Sequence, residues 1–215
     1  MASSFDATRV SVVDHPLVQH KLSLLRDNQT GCKQFRELVR ELTRLETYEA
    51  TRDLPLEPVR IETPIAPMEA AHLAGRTPAV IPILRAGLGM LEGVLDLIPD
   101  ALVGHLGMER DEVTHEPREY YAKLPRDIAE RTCLVVDPML ATGGSAEAAL
   151  SYLRAQGARD IRFLSIVAAP EGLSRVLEGD ADVRVFACAI DECLNENAYI
   201  VPGLGDAGDR IFGTL

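Results

Sequence analysis

Leu134-Val135-Val136-Asp137-Pro138-Met139-Leu140-Ala141-Thr142-Gly143-Gly144-Ser145-Ala146 is the stretch on which the reading of this chain turns. An apolar run closed by Asp137 has the form of a buried parallel strand ending in an acid, at the end where open α/β sheets bind their ligands. Thr142, Gly143, Gly144 and Ser145 then offer backbone N–H groups and two hydroxyls around a small concavity, and Ala146-Glu147-Ala148-Ala149-Leu150 continues as good helix. Such a turn suits a phosphate, because the free N–H groups and the positive end of the helix dipole favour an anion there by up to about 2 kcal/mol. The plainer alternative is a strand–turn–helix in which Gly143-Gly144 serves only the turn; Asp137, Thr142 and Ser145 together weigh against it. No Lys follows the glycines, so nothing reaches a β/γ-phosphate as in a P-loop. An acid at a strand tip beside a monophosphate cradle instead suits a sugar phosphate, the carboxylate accepting from ribose hydroxyls while the loop grips the 5-phosphate.

Outward from this centre, residues 59–65, 70–74, 79–84, 88–97, 102–106, 133–137, 145–156, 161–168, 173–177 and 183–189 form an alternating strand and helix pattern. It predicts an α/β fold: a doubly wound, mostly parallel sheet with helices on both faces. Ahead of it, Phe35, Leu38, Val39, Leu42 and Leu45 recur at helical spacing, so 33–47 reads as an amphipathic helix with Lys33, Arg36, Glu37 and Arg40 outward. A shorter helix is expected around Leu17–Leu25. Residues 107–126 are polar, charged and longer than a usual connection, fitting a β-hairpin or flap. The glycine-rich, weakly periodic 191–215 reads as a cap over the strand ends.

At 215 residues, 47% apolar and 26% charged, the chain is expected to form one domain over 1–215, with N-terminal helices within 1–50. No apolar run approaches a membrane span and residues 1–6 lack the regions of a signal peptide, so a cytoplasmic protein with no membrane partner is expected. The net charge of −11 opposes nucleic acid as a partner and requires a locally positive site for an anionic substrate, with Arg85, Arg110 and Lys123 as candidates. Cys32, Cys133, Cys188 and Cys193 have no metal-ligand spacing and are expected to be reduced thiols; the five histidines show no paired spacing. Gly203-Leu204-Gly205-Asp206-Ala207-Gly208 matches GxGxxG by letter, but too little chain follows it for a βαβ unit, and Gly87-Leu88-Gly89 has its third glycine one position late.

Val136–Ser145 and Tyr199–Arg210 resemble the uracil phosphoribosyltransferases, as do His15-Pro16-Leu17, Thr47-Tyr48-Glu49-Ala50, Pro82–Met90 and Tyr120–Pro125. These ordered motifs spread over nearly the whole chain. Gly107-Met108-Glu109-Arg110 departs from the family's common Gly-x-Tyr-Arg, keeping the Arg and losing the aromatic, whereas Pro138 after Asp137 follows the uracil enzymes. The resemblance implies a type I phosphoribosyltransferase fold and transfer of the 5-phosphoribosyl group from phosphoribosyl diphosphate to N1 of uracil, giving UMP and diphosphate in pyrimidine salvage. Diphosphate leaves with growing negative charge, so donors placed there contribute most. Arg85 and Arg110 are the expected donors and, with Asp137, the expected catalytic set. The phosphoribosyl diphosphate contacts would be these three with Pro138, Met139, Leu140, Ala141, Thr142, Gly143, Gly144, Ser145 and Asp206; Ile200, Gly205, Asp206 and Ala207 would line uracil.

Mg²⁺ is implied as a companion of the substrate, held through waters by Asp137 or Asp206 with no direct protein ligand. Tyr120, Tyr121 and Lys123 are second-rank candidates for closing the flap as a lid. A homo-oligomer is implied by resemblance alone; GTP activates some members, and no residue pattern here decides that point. Two other functions on the same fold stay open at this stage, a pyrimidine-responsive RNA-binding regulator and a catalytically inactive nucleotide sensor.

Overall fold

The structure, a computed structural model, describes residues 5–110 and 117–214. The chain opens with β1 (Val10–Val12), α1 (Pro16–Arg26) and α2 (Cys32–Ala50), followed by β2 (Leu56–Glu62) and β3 (Pro67–Leu73). The central run is β4 (Ala79–Leu84), α3 (Leu88–Leu95), β5 (Leu102–Val103), β6 (His105–Arg110), β7 (Pro117–Lys123) and β8 (Thr132–Val136). Then come β9 (Met139–Leu140), α4 (Gly144–Ala155), β10 (Asp160–Ala168), α5 (Pro170–Gly179), β11 (Arg184–Ile190), β12 (Cys193–Leu194), β13 (Ile200–Val201) and α6 (Ala207–Phe212).

The main sheet has the order β1-β11-β10-β8-β4-β6-β7, parallel except for the β6–β7 pair. Alternate side chains along each strand serve opposite faces. Val80, Leu134, Val136, Leu164 and Phe186 meet Val18, Leu22, Phe35, Leu42 and Met90 from α1, α2 and α3, whereas Ile81, Val135, Phe163 and Val185 meet Leu150, Leu153 and Leu173 from α4 and α5. The doubly wound α/β architecture expected from the strand–helix alternation is therefore present. Helix α1 begins at Pro16, whose missing N–H costs nothing there, and the His15 ring nitrogen accepts from Leu17 N–H at 3.1 Å. Among the described residues no helix is long and apolar enough to cross a membrane.

Three segments differ from the expectation. The stretches 59–65 and 70–74, which opened the alternating pattern, lie in an antiparallel hairpin of their own, β2–β3, with pairing from Leu56↔Leu73 to Glu62↔Pro67. Both faces of this hairpin are largely exposed, so its strands have no core to join. Within 107–126, β6 and β7 pair antiparallel, and β6 runs parallel beside β4, so the pair extends the main sheet; residues 111–116, between them, lie outside the described residues. The 191–215 cap contains a short helix, α6, whose six residues are too few to show a helical period in sequence.

Glu46 lies on the inward stripe of α2, fully buried; Oε1 accepts from Ser165 N–H at 3.1 Å, and Oε2 has no partner among the described residues. Burial pushes its carboxyl well above the usual value of 4.5, with the Ser165 N–H opposing. A folded-state pKa above the unfolded one means the native state prefers the proton, so its stabilising contribution is full below pH 4.5 and is lost as pH rises toward the folded value. Glu46→Gln is expected to raise unfolding free energy at pH 8 by about 1–3 kcal/mol and to leave pH 4.5 nearly unchanged, as measured by urea titration at both pH values.

Candidate active site

Strands β4 and β8 are neighbours with Pro82 opposite Val136, yet the chain leaves them in opposite directions, through α3 to β6 and through α4 to β10. Their carboxyl ends therefore bound the switch-point crevice of an open α/β sheet. Asp137 follows β8 and Arg85 follows β4, so the two stand on opposite lips. The Leu84–Arg85 peptide is cis. The turn then closes through Gly87 N–H to Ile83 O at 2.9 Å, and a Cβ on Gly87 would fall 2.4 Å from Val136 O and 2.7 Å from both Ile83 N and Ile83 O. Only a glycine lets the Arg85 turn sit this close to the end of β8.

Asp137 donates its N–H to Leu164 O at 3.2 Å. The residue is partly buried and its carboxyl is crowded by protein; burial pushes it up to about 7, and the Met139 N–H pulls the other way. Asp137 and residues 139–146 line a hollow of about 100 Å³, the size of a phosphate group rather than of a nucleotide. Gly143 is left-handed at φ 78°, and α4 starts beyond it with no side-chain cap, so its first N–H groups are free for an anion. The loop is held from behind. Val167 N–H donates to Pro138 O at 3.1 Å and Ala169 N–H to Leu140 O at 2.8 Å, and Gly172 of α5 packs so closely that a Cβ would be 2.4 Å from Ala141 O.

The sequence-based contacts divide accordingly. Met139, Leu140, Ala141, Thr142, Gly143, Gly144 and Ser145 surround one hollow with Asp137; Pro138 is buried beside it and does not line it. Leu140 sends its side chain into the core, so its offer to a ligand is main chain. Arg85 is 61% exposed, with Nη2 at 3.8 Å from Asp209 Oδ1 and its guanidinium 5.8 Å from the centre of the Phe212 ring. Thus the Arg85 lip touches the cap through two residues that sequence reasoning did not single out, Asp209 and Phe212; an isolated acid and aromatic carry no spacing signal. Within the cap, Asp206 Oδ1 accepts from Asp209 N–H at 2.9 Å and caps α6. Gly205 and Asp206 are exposed, whereas the Ile200 and Ala207 side chains are in the core, leaving main chain as what those two can present.

Arg110 closes β6 opposite Pro117, and the side chains of Glu109 and Arg110 lie outside the described residues. Tyr120, Tyr121 and Lys123 of β7 are exposed, and the Tyr120 ring crosses to Gly107, where a Cβ would meet it at 2.5 Å. No cluster of three or more His, Cys, Asp or Glu side chains able to hold a metal occurs among the described residues.

An acid on one lip, a phosphate-sized hollow below it and a cation across the crevice are what a ribose phosphate with a leaving anion requires, and on this fold they define the phosphoribosyltransferase class. Adenine phosphoribosyl transferase from Trypanosoma brucei shares the fold, with a TM-score of 0.57 at 12% identity over 90% of this chain and 85% of that one. The model of the family described as "Uracil phosphoribosyltransferase" matches residues 12–214. Proteins named uracil phosphoribosyltransferase from Agathobacter rectalis and Symbiobacterium thermophilum are 60% identical over 206 residues and 58% identical over 207, each match covering 96% of this chain and 99% of the relative. The AQ2163 protein from Aquifex aeolicus superimposes with a TM-score of 0.89 at 39% identity, covering 94% of this chain and 97% of that one. The chain belongs to the uracil phosphoribosyltransferase family.

Proposed function

We propose that the β4–β8 crevice transfers the 5-phosphoribosyl group from phosphoribosyl diphosphate to N1 of uracil, forming UMP and diphosphate. The observation that supports this most is that Asp137 lines the same hollow as Gly143-Gly144, in a chain that matches the family from residue 12 to 214. The loop from Ala141 to Ser145 holds the 5-phosphate with main-chain N–H groups and the Thr142 and Ser145 hydroxyls. Asp137 accepts hydrogen bonds from the ribose hydroxyls and, as an anion, favours the positive charge that develops on the ribose as the bond to diphosphate lengthens. Arg85 leaves its weak contact with Asp209 to meet the departing diphosphate, joined by Arg110. Uracil lies against main chain at Ile200, Gly205 and Ala207, with Asp206 between base and ribose.

Mg²⁺ fits this site as a companion of the substrate, because one carboxylate at the rim and Asp206 in the cap can hold its waters without forming an all-protein cage. Bound there, it would neutralise diphosphate charge. Tyr120, Tyr121 and Lys123 stand on the strand that would close over the centre and exclude water. The chain acts as one domain, in the cytoplasm, and as a homo-oligomer; exposed Leu56, Ile65, Met68 and Leu73 on the β2–β3 hairpin are surface that such an assembly would cover. No observation favours the RNA-binding or inactive-sensor readings, and none supports a GTP site.

The deciding experiment is UMP formation from labelled uracil, phosphoribosyl diphosphate and Mg²⁺, run beside cytosine, hypoxanthine and orotate. Turnover of uracil well above the others is the expected result. A folded protein that turns over none of them, or prefers another base, refutes the proposal.

A further inference from the structure

The main chain that enters the base-binding cap is clamped from behind by side chains distant in sequence. Arg26, the last residue of α1, donates from Nη1 and Nη2 to Asp191 Oδ2 and Oδ1 at 2.7 and 2.6 Å, and Nη1 also donates to Gly203 O at 2.7 Å. Asp191 Oδ2 accepts Gly203 N–H at 2.8 Å, so one ion pair engages both polar main-chain groups of Gly203. The Asp191 side chain is 5% exposed, and its own N–H donates to Ala168 O at the end of β10, tying the pair to the main sheet. One residue further on, Leu204 O accepts from Arg210 Nη1 at 2.8 Å; Arg210 Nη2 donates to Asp27 O at 2.6 Å. The polar groups of Gly203 and the carbonyl of Leu204 are thus consumed on the inner side, and the chain returns to the surface at Gly205 and Asp206.

We propose that Arg26 and Asp191 are positioning residues for base recognition: by fixing Gly203 they set the course of the strap over Gly205–Ala207 and hence how strictly its main chain reads the uracil edge. The inference rests on the reading that this strap lines uracil. A planar neutral base is distinguished by a few hydrogen bonds, and the loss of one well-placed bond at such a site shifts selectivity by about tenfold or more. Neither residue touches a substrate in this reading; Asp206, the strap residue shared with the ribose, has its side chain fixed by the Asp209 N–H, and the 5-phosphate loop is held by Val167, Ala169 and Gly172, so the larger influence of the clamp falls on the base.

The test uses Arg26→Lys, which keeps the charge but loses the planar fork, and Asp191→Asn, which keeps an acceptor but loses the charge. Each is expected to raise the KM for uracil about tenfold and to move the uracil-to-cytosine ratio of kcat/KM toward cytosine, with kcat and the KM for phosphoribosyl diphosphate within about twofold of the parent. An unchanged uracil KM, or uracil and phosphoribosyl diphosphate KM values rising together, overturns the proposal. Hydrogen exchange on the parent protein gives a second reading that needs no variant. Gly203 N–H is expected to be protected before any base is added, and protection that arises only with uracil bound overturns a preformed clamp. Absence of uracil turnover in the parent would instead remove the base-binding reading itself.

Discussion

Asp137→Asn is expected to lower kcat/KM for UMP formation by about two orders of magnitude or more while leaving the protein folded. Each charge-assisted hydrogen bond to a ribose hydroxyl is worth about 1.5–3 kcal/mol, and the amide retains only one acceptor oxygen and no charge to oppose the developing positive ribose. The same substitution is expected to stabilise the free protein above neutral pH. The folded carboxyl titrates at about 7 against 3.8 for the ordinary group, so the native state holds an extra proton between those values. Stability contributed by that proton is present below 3.8 and is lost as pH rises through about 7; above it the ionised carboxylate costs up to roughly 4 kcal/mol. Melting curves of parent and variant at pH 5 and pH 8 check this: the variant gains at pH 8 and much less at pH 5. Near-normal turnover with a folded protein would remove Asp137 from the ribose role. A gain in stability with a loss of activity is the signature of a group held in an unfavourable surrounding for the sake of its ligand.

The second large effect is expected from Gly87→Ala. The added Cβ meets backbone at three points, Val136 O and Ile83 N and O, and backbone cannot rotate away as a side chain tip can. Overpacking of this kind costs about 2–3 kcal/mol, and here the strain acts on the contact between the Arg85 turn and the end of β8. Turnover is therefore expected to fall more than tenfold even in the fraction that remains folded, because a displacement of about 1 Å between catalytic groups is enough to do so. Gly31→Ala is the matched control, since nothing lies within 4 Å of its added Cβ. Equal melting temperatures and rates for the two variants would show that the Gly87 packing does not govern the crevice.

The centre of the fold was legible because its signals are local. Cys133–Val136 needs four successive buried residues and an acid, and Thr142–Ser145 needs the free N–H groups of a helix start; both are properties of adjacent residues. The amphipathic stripe of α2 was equally plain, although it also contains a buried acid, Glu46, that the apolar spacing does not reveal. What escaped depends on partners far along the chain. The edge strand Val10–Val12 is three residues long and takes its conformation from pairing with Val185–Ala187. The hairpin β2–β3 alternates as any half-buried strand would, and no local feature says that neither face has a core to meet. In the site, the loop and its acid were readable as a motif, whereas Asp209, Gly172, Arg26 and Asp191 matter only through what they approach in space.

The clamp on Gly203 joins residues 177 positions apart, and its Arg26–Asp191 pair spans 165. Contacts of such separation close last in a folding chain, after nearer pairings have shortened the effective loop. The phosphate loop, by contrast, is assembled from β8, β9, α4 and β10, which follow one another directly. Refolding should therefore deliver a protein that first regains its grip on the sugar phosphate and only afterwards its taste for a base, so that selectivity is the slowest property of the molecule to mature.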